Sequence, residues 1–205
     1  MIGIVDYGMG NVRSLYNALT WIGCEARVTC NPAELREAER LILPGVGAFG
    51  DAMTAIRARG LDSILDAEVR RGGKPMLGIC LGMQLLARTS EEHGNHDGLG
   101  WIDATVERFK LPPPAKVPHI GWNEIEFGDG EPLFRGLKPR ERNFYFAHSF
   151  HMKCRDPRDV IADCAYGVRF TAAVRRGNIA ATQFHPEKSQ DNGVRVLRNF
   201  LEWKP

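Results

Sequence analysis

The chain has 205 residues, 43% of them hydrophobic and 25% charged, enough to bury one sizeable core, and residues 1–205 are expected to form a single domain. Lys and Arg number 27 against 25 Asp and Glu, a formal charge of +2, and no basic stretch is interleaved with aromatics, which argues against nucleic acid as a partner. The apolar start at Met1 is too short and uncharged for a signal peptide and no run approaches the length of a bilayer, so the expectation is a cytoplasmic protein with no membrane partner.

Met1 to Val5 is a short apolar run that reads as a strand. After a glycine turn, Val12, Leu15, Leu19 and Ile22 recur at helical spacing before Gly23. A second strand around Ala26 to Thr29 leads to Asn31-Pro32, a cap followed by proline at the first helical position, which predicts a brief helix. Leu41 to Leu43 is a third strand, followed by a glycine-rich loop and two amphipathic stretches within Asp51 to Arg71. Pro75 to Ile79 is continuously apolar, the pattern of a strand covered on both faces. Strands alternating with helices imply a parallel sheet.

The second half reads differently. Trp101 to Phe109, Glu124 to Phe127, Asn143 to Met152, Thr171 to Val174 and Ile179 to Phe184 are strand-like, the last two joined by Arg176-Gly177-Asn178. They imply added β structure on the α/β core. Pro112-Pro113-Pro114 is a stiff loop, and a last helix carries Val194, Leu197 and Leu201 on one face. The five cysteines, Cys24, Cys30, Cys80, Cys154 and Cys164, lack a framework spacing and are expected to be free thiols.

The chemistry concentrates around Cys80. In Pro75-Met76-Leu77-Gly78-Ile79-Cys80-Leu81-Gly82-Met83-Gln84 a buried strand runs into a cysteine with a glycine two residues to either side, then into a helical pattern. A tight strand-to-helix turn holds such a side chain exposed and strained, and the helix N-terminus behind it favours a thiolate and an oxyanion. Cys80 is the candidate nucleophile, although a cysteine ending an apolar strand is, taken alone, more often a core thiol. The second motif decides between these readings. In Gln183-Phe184-His185-Pro186-Glu187 an imidazole and a carboxylate stand two residues apart, on one side of an extended segment, so Glu187 can orient His185 while its other nitrogen faces the nucleophile.

Two rival patterns need weighing. Gly45, Gly47 and Gly50 satisfy the GxGxxG dinucleotide fingerprint, but after the third strand and without a clean acidic ribose ligand. His148, His151 and Cys154 could suggest a metal, yet the two histidines point to opposite faces of a strand, and they, like His93 and His96, read as surface or edge residues. Neither a metal nor a cofactor is expected.

GICLGMQ and FHPE resemble the two signatures of the class-I, triad-type glutamine amidotransferases, and Leu43-Pro44-Gly45-Val46-Gly47-Ala48-Phe49-Gly50 is similar to their third. The resemblance implies a flavodoxin-like, mostly parallel open sheet flanked by helices, with added antiparallel strands. It implies catalysis by Cys80, His185 and Glu187, glutamine as substrate, and an oxyanion hole from the N–H of Leu81 and one near Val46 and Gly47.

Within that family, DYGMGN, KVPHIGWN, NFYFAHSF and QFHPEKS are similar to the glutaminase subunits of imidazole glycerol phosphate synthases, essentially from end to end. This implies ammonia delivered to a separate (β/α)8 cyclase subunit in histidine biosynthesis. By position in the matched motifs, Gln84, His148, Ser149 and Phe150 lie where glutamine is held, and Asn11, Tyr145 and Lys188 face the cyclase. Phe150 departs from the tyrosine expected after His-Ser. Trp101 in GLGWIDATVERF and the KSQDNG stretch keep one alternative open, a paralogous glutaminase supplying ammonia for sugar amidation in surface-polysaccharide synthesis.

Overall fold

The computed structural model describes residues 1–138 and 142–205. The first half alternates as its periodicities predict: β1 (Ile2–Val5), α1 (Val12–Trp21), β2 (Ala26–Thr29), α2 (Pro32–Glu37), β3 (Arg40–Gly45), α3 (Phe49–Ala58) and α4 (Leu61–Leu65), which continues as a wider π turn to Arg71. Asn31 caps α2 by accepting from the Ala33 N–H at 2.9 Å, with Pro32 at the first helical position. Then come β4 (Met76–Cys80), α5 (Leu81–Gln84), β5 (Thr89–Ser90), β6 (His96–Asp97), β7 (Ala104–Arg108), β8 (His119–Phe127), β9 (Asn143–His148), β10 (Phe150–Cys154), β11 (Val160–Tyr166), β12 (Val168–Arg176), β13 (Ile179–Thr182) and α6 (Gln190–Glu202).

A nine-stranded sheet has the order β2-β1-β3-β4-β13-β12-β11-β8-β9. Its first five strands are mutually parallel, in the flavodoxin-like order, and the rest pair antiparallel. A second sheet, β10-β7-β5-β6, stands apart from it. Helices α1 and α6 bury Leu15, Leu19, Val196, Leu197 and Phe200 against one face of the large sheet, together with Ile4, Ile42 and Leu77. On the other face α2, α3 and α4 pack with Leu41, Leu43 and the inner face of the second sheet.

Several sequence expectations are corrected. Asn143 to Met152 is two strands, because the chain breaks at Ser149: β9 pairs with β8, while β10 leaves for β7 in the other sheet. Glu124 to Phe127 is only the end of a strand that begins at His119, and β11 was not anticipated. In β11, Val-Ile-Ala-Asp-Cys-Ala-Tyr, only Ala162 and Cys164 are buried, a weak apolar signal, and its pairing with β12 carries irregular register. The buried stripe of α6 runs through Gly193, Val196, Leu197, Asn199 and Phe200, with Val194 and Leu201 at its margins. The helix after Cys80 is a single turn, so its dipole is weak and its contribution is local N–H groups.

That turn is packed against β3 so tightly that residue 82 has no space for a side chain. A Cβ on Gly82 would lie 1.8 Å from the Leu43 carbonyl oxygen, whereas one on Gly23 would meet nothing within 4 Å. Gly82→Ala should therefore destabilise by about 3 kcal/mol or more, since backbone has to move. Gly23→Ala should cost only about 1–2 kcal/mol for its left-handed conformation. Denaturant midpoints of the two variants measure this, and equal losses would contradict the packing account.

Candidate functional site

The C-terminal ends of β3, β4 and β13 are neighbours, and each releases its chain at the same edge of the sheet. In an open parallel sheet this edge is where ligands bind. Cys80 ends β4 at φ 55°, ψ −110°, a left-handed conformation costly for any residue with a Cβ. The turn is possible because a Cβ at Gly78 would press on the Gly82 carbonyl at 2.9 Å, and one at Gly82 would strike β3.

His185 follows β13. Its backbone N–H donates to the Tyr145 carbonyl at 2.9 Å, and its carbonyl accepts from the Ser189 hydroxyl at 2.6 Å. The same Ser189 oxygen accepts from the Tyr145 N–H at 3.0 Å, so one buried serine ties the histidine segment to β9. Pro186 to Lys188 form a 3₁₀ turn rather than the extended segment expected, with His185 as its cap and proline at its first position. The turn brings the carboxylate of Glu187 onto the ring, Nδ1 to Oε1 at 2.9 Å, with both side chains 3% exposed. The other carboxylate oxygen of Glu187 has no partner.

Burial opposes charge on His185, but hydrogen bonds to Cys80 and Glu187 and their negative charges outweigh it and raise the imidazole to about 10. The ring is therefore poised as imidazolium beside the Cys80 sulfur. Behind the sulfur, Gln84 Nε2 donates to the Gln183 oxygen at 3.0 Å and Gln183 Nε2 points to Cys80 Sγ at 3.8 Å. Gln183 and Ser189 are positions in contact with the site that motif reading passed over. Both flank the FHPE signature, but neither spacing nor charge marks them.

A cleft of about 390 Å³ opens over this array, lined among others by Val46, Gly47, Cys80, Leu81, Gln84, His148, Ser149, Phe150, His185 and Lys188. The structure thus gathers two of the catalytic candidates, with Glu187 behind His185, and the oxyanion and substrate-binding candidates around one cavity. Asn11 and Tyr145 lie outside it. Asn11 is a half-buried cap of α1 without a side-chain bond, and Tyr145 is half-buried on β9 with the Lys188 ammonium 5.6 Å from its ring centre.

Two details change the expected roles. The Val46 N–H, expected as an oxyanion donor, already donates to the Met9 carbonyl at 3.0 Å and is committed elsewhere. Gly47 beside it has φ +99°. His148 has both ring nitrogens engaged, Nδ1 with the Phe150 carbonyl at 2.8 Å and Nε2 with His119 Nδ1 at 3.1 Å. His148 thus lines the cleft with neither ring nitrogen free. The Phe150 oxygen accepts, so His148 carries its proton on Nδ1, and His119 then donates from Nδ1 in turn. Burial holds both neutral, down to about 3 for His148 and about 4 for His119.

Of the histidines expected at a surface or edge, His93 is exposed and His96 and His151 are half-buried, whereas His148 is buried. His148 and His151 do not diverge as residues of one straight strand would, because the chain passes from one sheet to the other at Ser149, and both rings contact Phe109, at 5.1 and 4.6 Å between centroids. Among the described residues no group of three His, Cys, Asp or Glu side chains is arranged to hold a metal ion. The glycine fingerprint also finds a physical answer. Where a pyrophosphate would sit, at the start of α3, the Glu92 carboxylate accepts from the Phe49 N–H at 2.7 Å, and Gly50 is pressed against His96. A bound carboxylate occupies the anion position. Glu92 also reaches the cleft, a lining residue that the polar Glu91-Glu92-His93-Gly94 loop gave no reason to single out.

Residues 3–203 match the class-I glutamine amidotransferase family. The chain is 50% identical to an imidazole glycerol phosphate synthase subunit HisH 2 of Nitrobacter winogradskyi, covering 100% of this chain and 99% of that one. It is 48% identical to subunit HisH of Sulfurimonas denitrificans, with coverages of 100% and 99%, and 49% identical to that of Rhodopirellula baltica, with 98% and 96%. Among solved structures it resembles a glutamine amidotransferase at TM-score 0.73 and 24% identity over 98% of this chain and 97% of the other. It also resembles PurLQS from Thermotoga maritima at TM-score 0.74 and 22% identity, with the same coverages of 98% and 97%. At those identities the structural likeness speaks for the fold alone.

Glu187 is one of the groups that keep His185 protonated. Glu187→Gln should lower the His185 pKa from about 10, read by NMR titration of the ring. An unmoved titration would contradict the charge coupling.

Proposed function

The chain belongs to the class-I glutamine amidotransferase family, and we propose that it is the glutaminase subunit of an imidazole glycerol phosphate synthase, hydrolysing glutamine and passing the ammonia to a cyclase subunit in histidine biosynthesis. The observation that carries the chemistry is the line Cys80, His185, Glu187, whose first two members line one cleft, with the nucleophile in a strained left-handed turn. Residues 1–205 act as one glutaminase domain, in the cytoplasm, and among the described residues no helix is long and apolar enough to cross a membrane.

Cys80 as thiolate attacks the side-chain amide carbon of glutamine, and the carbonyl oxygen becomes an oxyanion held by the Leu81 N–H and a donor of the Val46–Gly47 loop. His185 gives its proton to the departing nitrogen, which leaves as ammonia, and a γ-glutamyl thioester remains. His185 then takes a proton from water, the water oxygen attacks the thioester, and glutamate leaves with the thiolate restored. Glu187 holds the imidazole in one orientation through both steps. Gln84, Ser149 and Phe150 shape the cleft for glutamine, His148 contributes its ring and its bond to the Phe150 carbonyl, and Glu92 offers a carboxylate to the substrate's ammonium.

The partner is a (β/α)8 cyclase that covers the mouth of the cleft. Exposed apolar side chains gather there: Ile120 and Trp122 on β8 and Val46 on the loop, with Tyr145 and Lys188 adjacent and Asn11 near the Met9 turn. In the free chain the Val46 N–H is spent on Met9. Docking and the cyclase's ligand turn this peptide over, so that glutamine is not hydrolysed without an acceptor. None of the three curated relatives described above carries a name of the sugar-amidating kind.

Cys80→Ala should abolish synthesis from glutamine and spare synthesis from ammonium salts, measured on the complex with the cyclase. Surviving glutamine-dependent activity would overturn the assignment. His185→Ala should come close to the same loss, about 10³-fold or more, and Glu187→Ala should retain more activity, because orienting a base matters less than supplying it. Gly47→Ala places a methyl group 2.9 Å from Met9 Cε at φ +99°. It should change the ratio of stimulated to basal glutaminase rate, and an unchanged ratio would count against the turning loop.

A further inference from the structure

The phenol of Tyr7 has no part in the scheme above, yet its placement is unusual. The residue is 1% exposed, and its hydroxyl is the one buried hydroxyl without a hydrogen-bond partner among the described residues. It lies directly under the last residue of β3: a Cβ on Gly45 would meet the Tyr7 oxygen at 2.4 Å and the Leu81 Cβ at 2.8 Å. The hydroxyl therefore sits between the strand that enters the oxyanion loop and the residue that follows the nucleophile. Burial, and then the charge of Cys80, push its pKa above that of an ordinary phenol, so it keeps its proton and is available as a donor.

The geometry of the Gly45–Val46 peptide gives that donor a use. In a trans peptide the N–H and C=O point in opposite directions. Val46 N–H now donates to the Met9 carbonyl at 3.0 Å. Turning the peptide so that this N–H faces the oxyanion swings the Gly45 carbonyl to the side the N–H has left, towards the Met9 carbonyl. Two carbonyl oxygens would then oppose each other with no proton between them, and buried carbonyls need a donor. Tyr7 belongs to the same turn as Met9, already lies under Gly45, and is unpartnered.

We propose that Tyr7 is a positioning residue for the oxyanion hole: its hydroxyl donates to the Gly45 carbonyl of the turned peptide and so keeps the Val46 N–H on the oxyanion. The role explains why residue 45 has to lack a side chain and why a buried hydroxyl stands idle in the free chain. It rests on the turning loop proposed above, and the test separates the two.

The variant is Tyr7→Phe, which removes one oxygen and keeps the ring in the core. In complex with the cyclase and its ribulosyl ligand, the stimulated glutaminase kcat should fall about tenfold or more. The KM for glutamine should stay within about twofold, because the lost interaction belongs to the transition state. Synthesis from ammonium salts should match the wild type, and the thermal midpoint should hold or rise, since an unpartnered group is removed. A purely structural role would lower the midpoint and leave the stimulated kcat alone. A wild-type stimulated kcat in Tyr7→Phe, with stimulation lost in Gly47→Ala, overturns the role of Tyr7 and leaves the loop standing. Absence of stimulation in the wild type removes the loop and this inference together.

Discussion

The reacting end of this molecule depends on how closely β3 approaches the turn after β4. The Leu43 carbonyl lies where a Cβ of Gly82 would be, the Tyr7 hydroxyl where a Cβ of Gly45 would be, and the Gly82 carbonyl close to that of Gly78. The segments meet so closely that residues 45, 78 and 82 have no room for side chains of their own. That contact leaves Cys80 in its left-handed conformation, at a cost of order 1–3 kcal/mol offset by the buried residues on both faces of the sheet. Its effect is to aim the thiol of a wholly buried strand at the cleft, with Cys80 only 6% exposed where an open side chain had been expected.

Around that sulfur the polar groups are arranged in fixed chains. Glu187 holds His185, the Ser189 hydroxyl links the His185 and Tyr145 backbones, Gln84 and Gln183 lead to the thiol, and His119 with His148 lead to the Phe150 carbonyl. Gln84 donates to that same carbonyl at 2.9 Å, so two buried donors converge on one oxygen and fix the wall of the cleft between β9 and β10. Preorganised groups of this kind need not reorient as charge develops, which is where electrostatic catalysis gains most. The exception is the Val46–Gly47 loop. Its Val46 N–H is paired with the Met9 carbonyl, away from the site.

Much of this was legible in the residues. The α/β alternation, the elbow at Gly78-Ile79-Cys80-Leu81-Gly82 and the histidine–carboxylate pair all follow from local rules: period, glycine spacing, and an imidazole and a carboxylate two residues apart. Long-range packing carried the rest. The Asn143–Met152 run looks like one strand because its alternation is unbroken, and only the pairing of β9 and β10 in different sheets shows the switch at Ser149. His185 and Glu187 meet through a 3₁₀ turn set by Pro186, where an extended segment had been expected to do the same. Gln183, Ser149's neighbour His148 paired to His119, and the idle hydroxyl of Tyr7 acquire meaning only from residues tens of positions away.

The central claim is that this cleft releases ammonia for a cyclase and does so on that partner's signal. The most direct measurement is glutamate release by the chain mixed with an imidazole glycerol phosphate cyclase, with and without the ribulosyl substrate, while the imidazole product is followed. The account predicts slow release from the chain alone, strong stimulation in the complex with substrate, and product formed in step with glutamate. Glutamate released at the same rate in all three conditions, with no imidazole product, would contradict it.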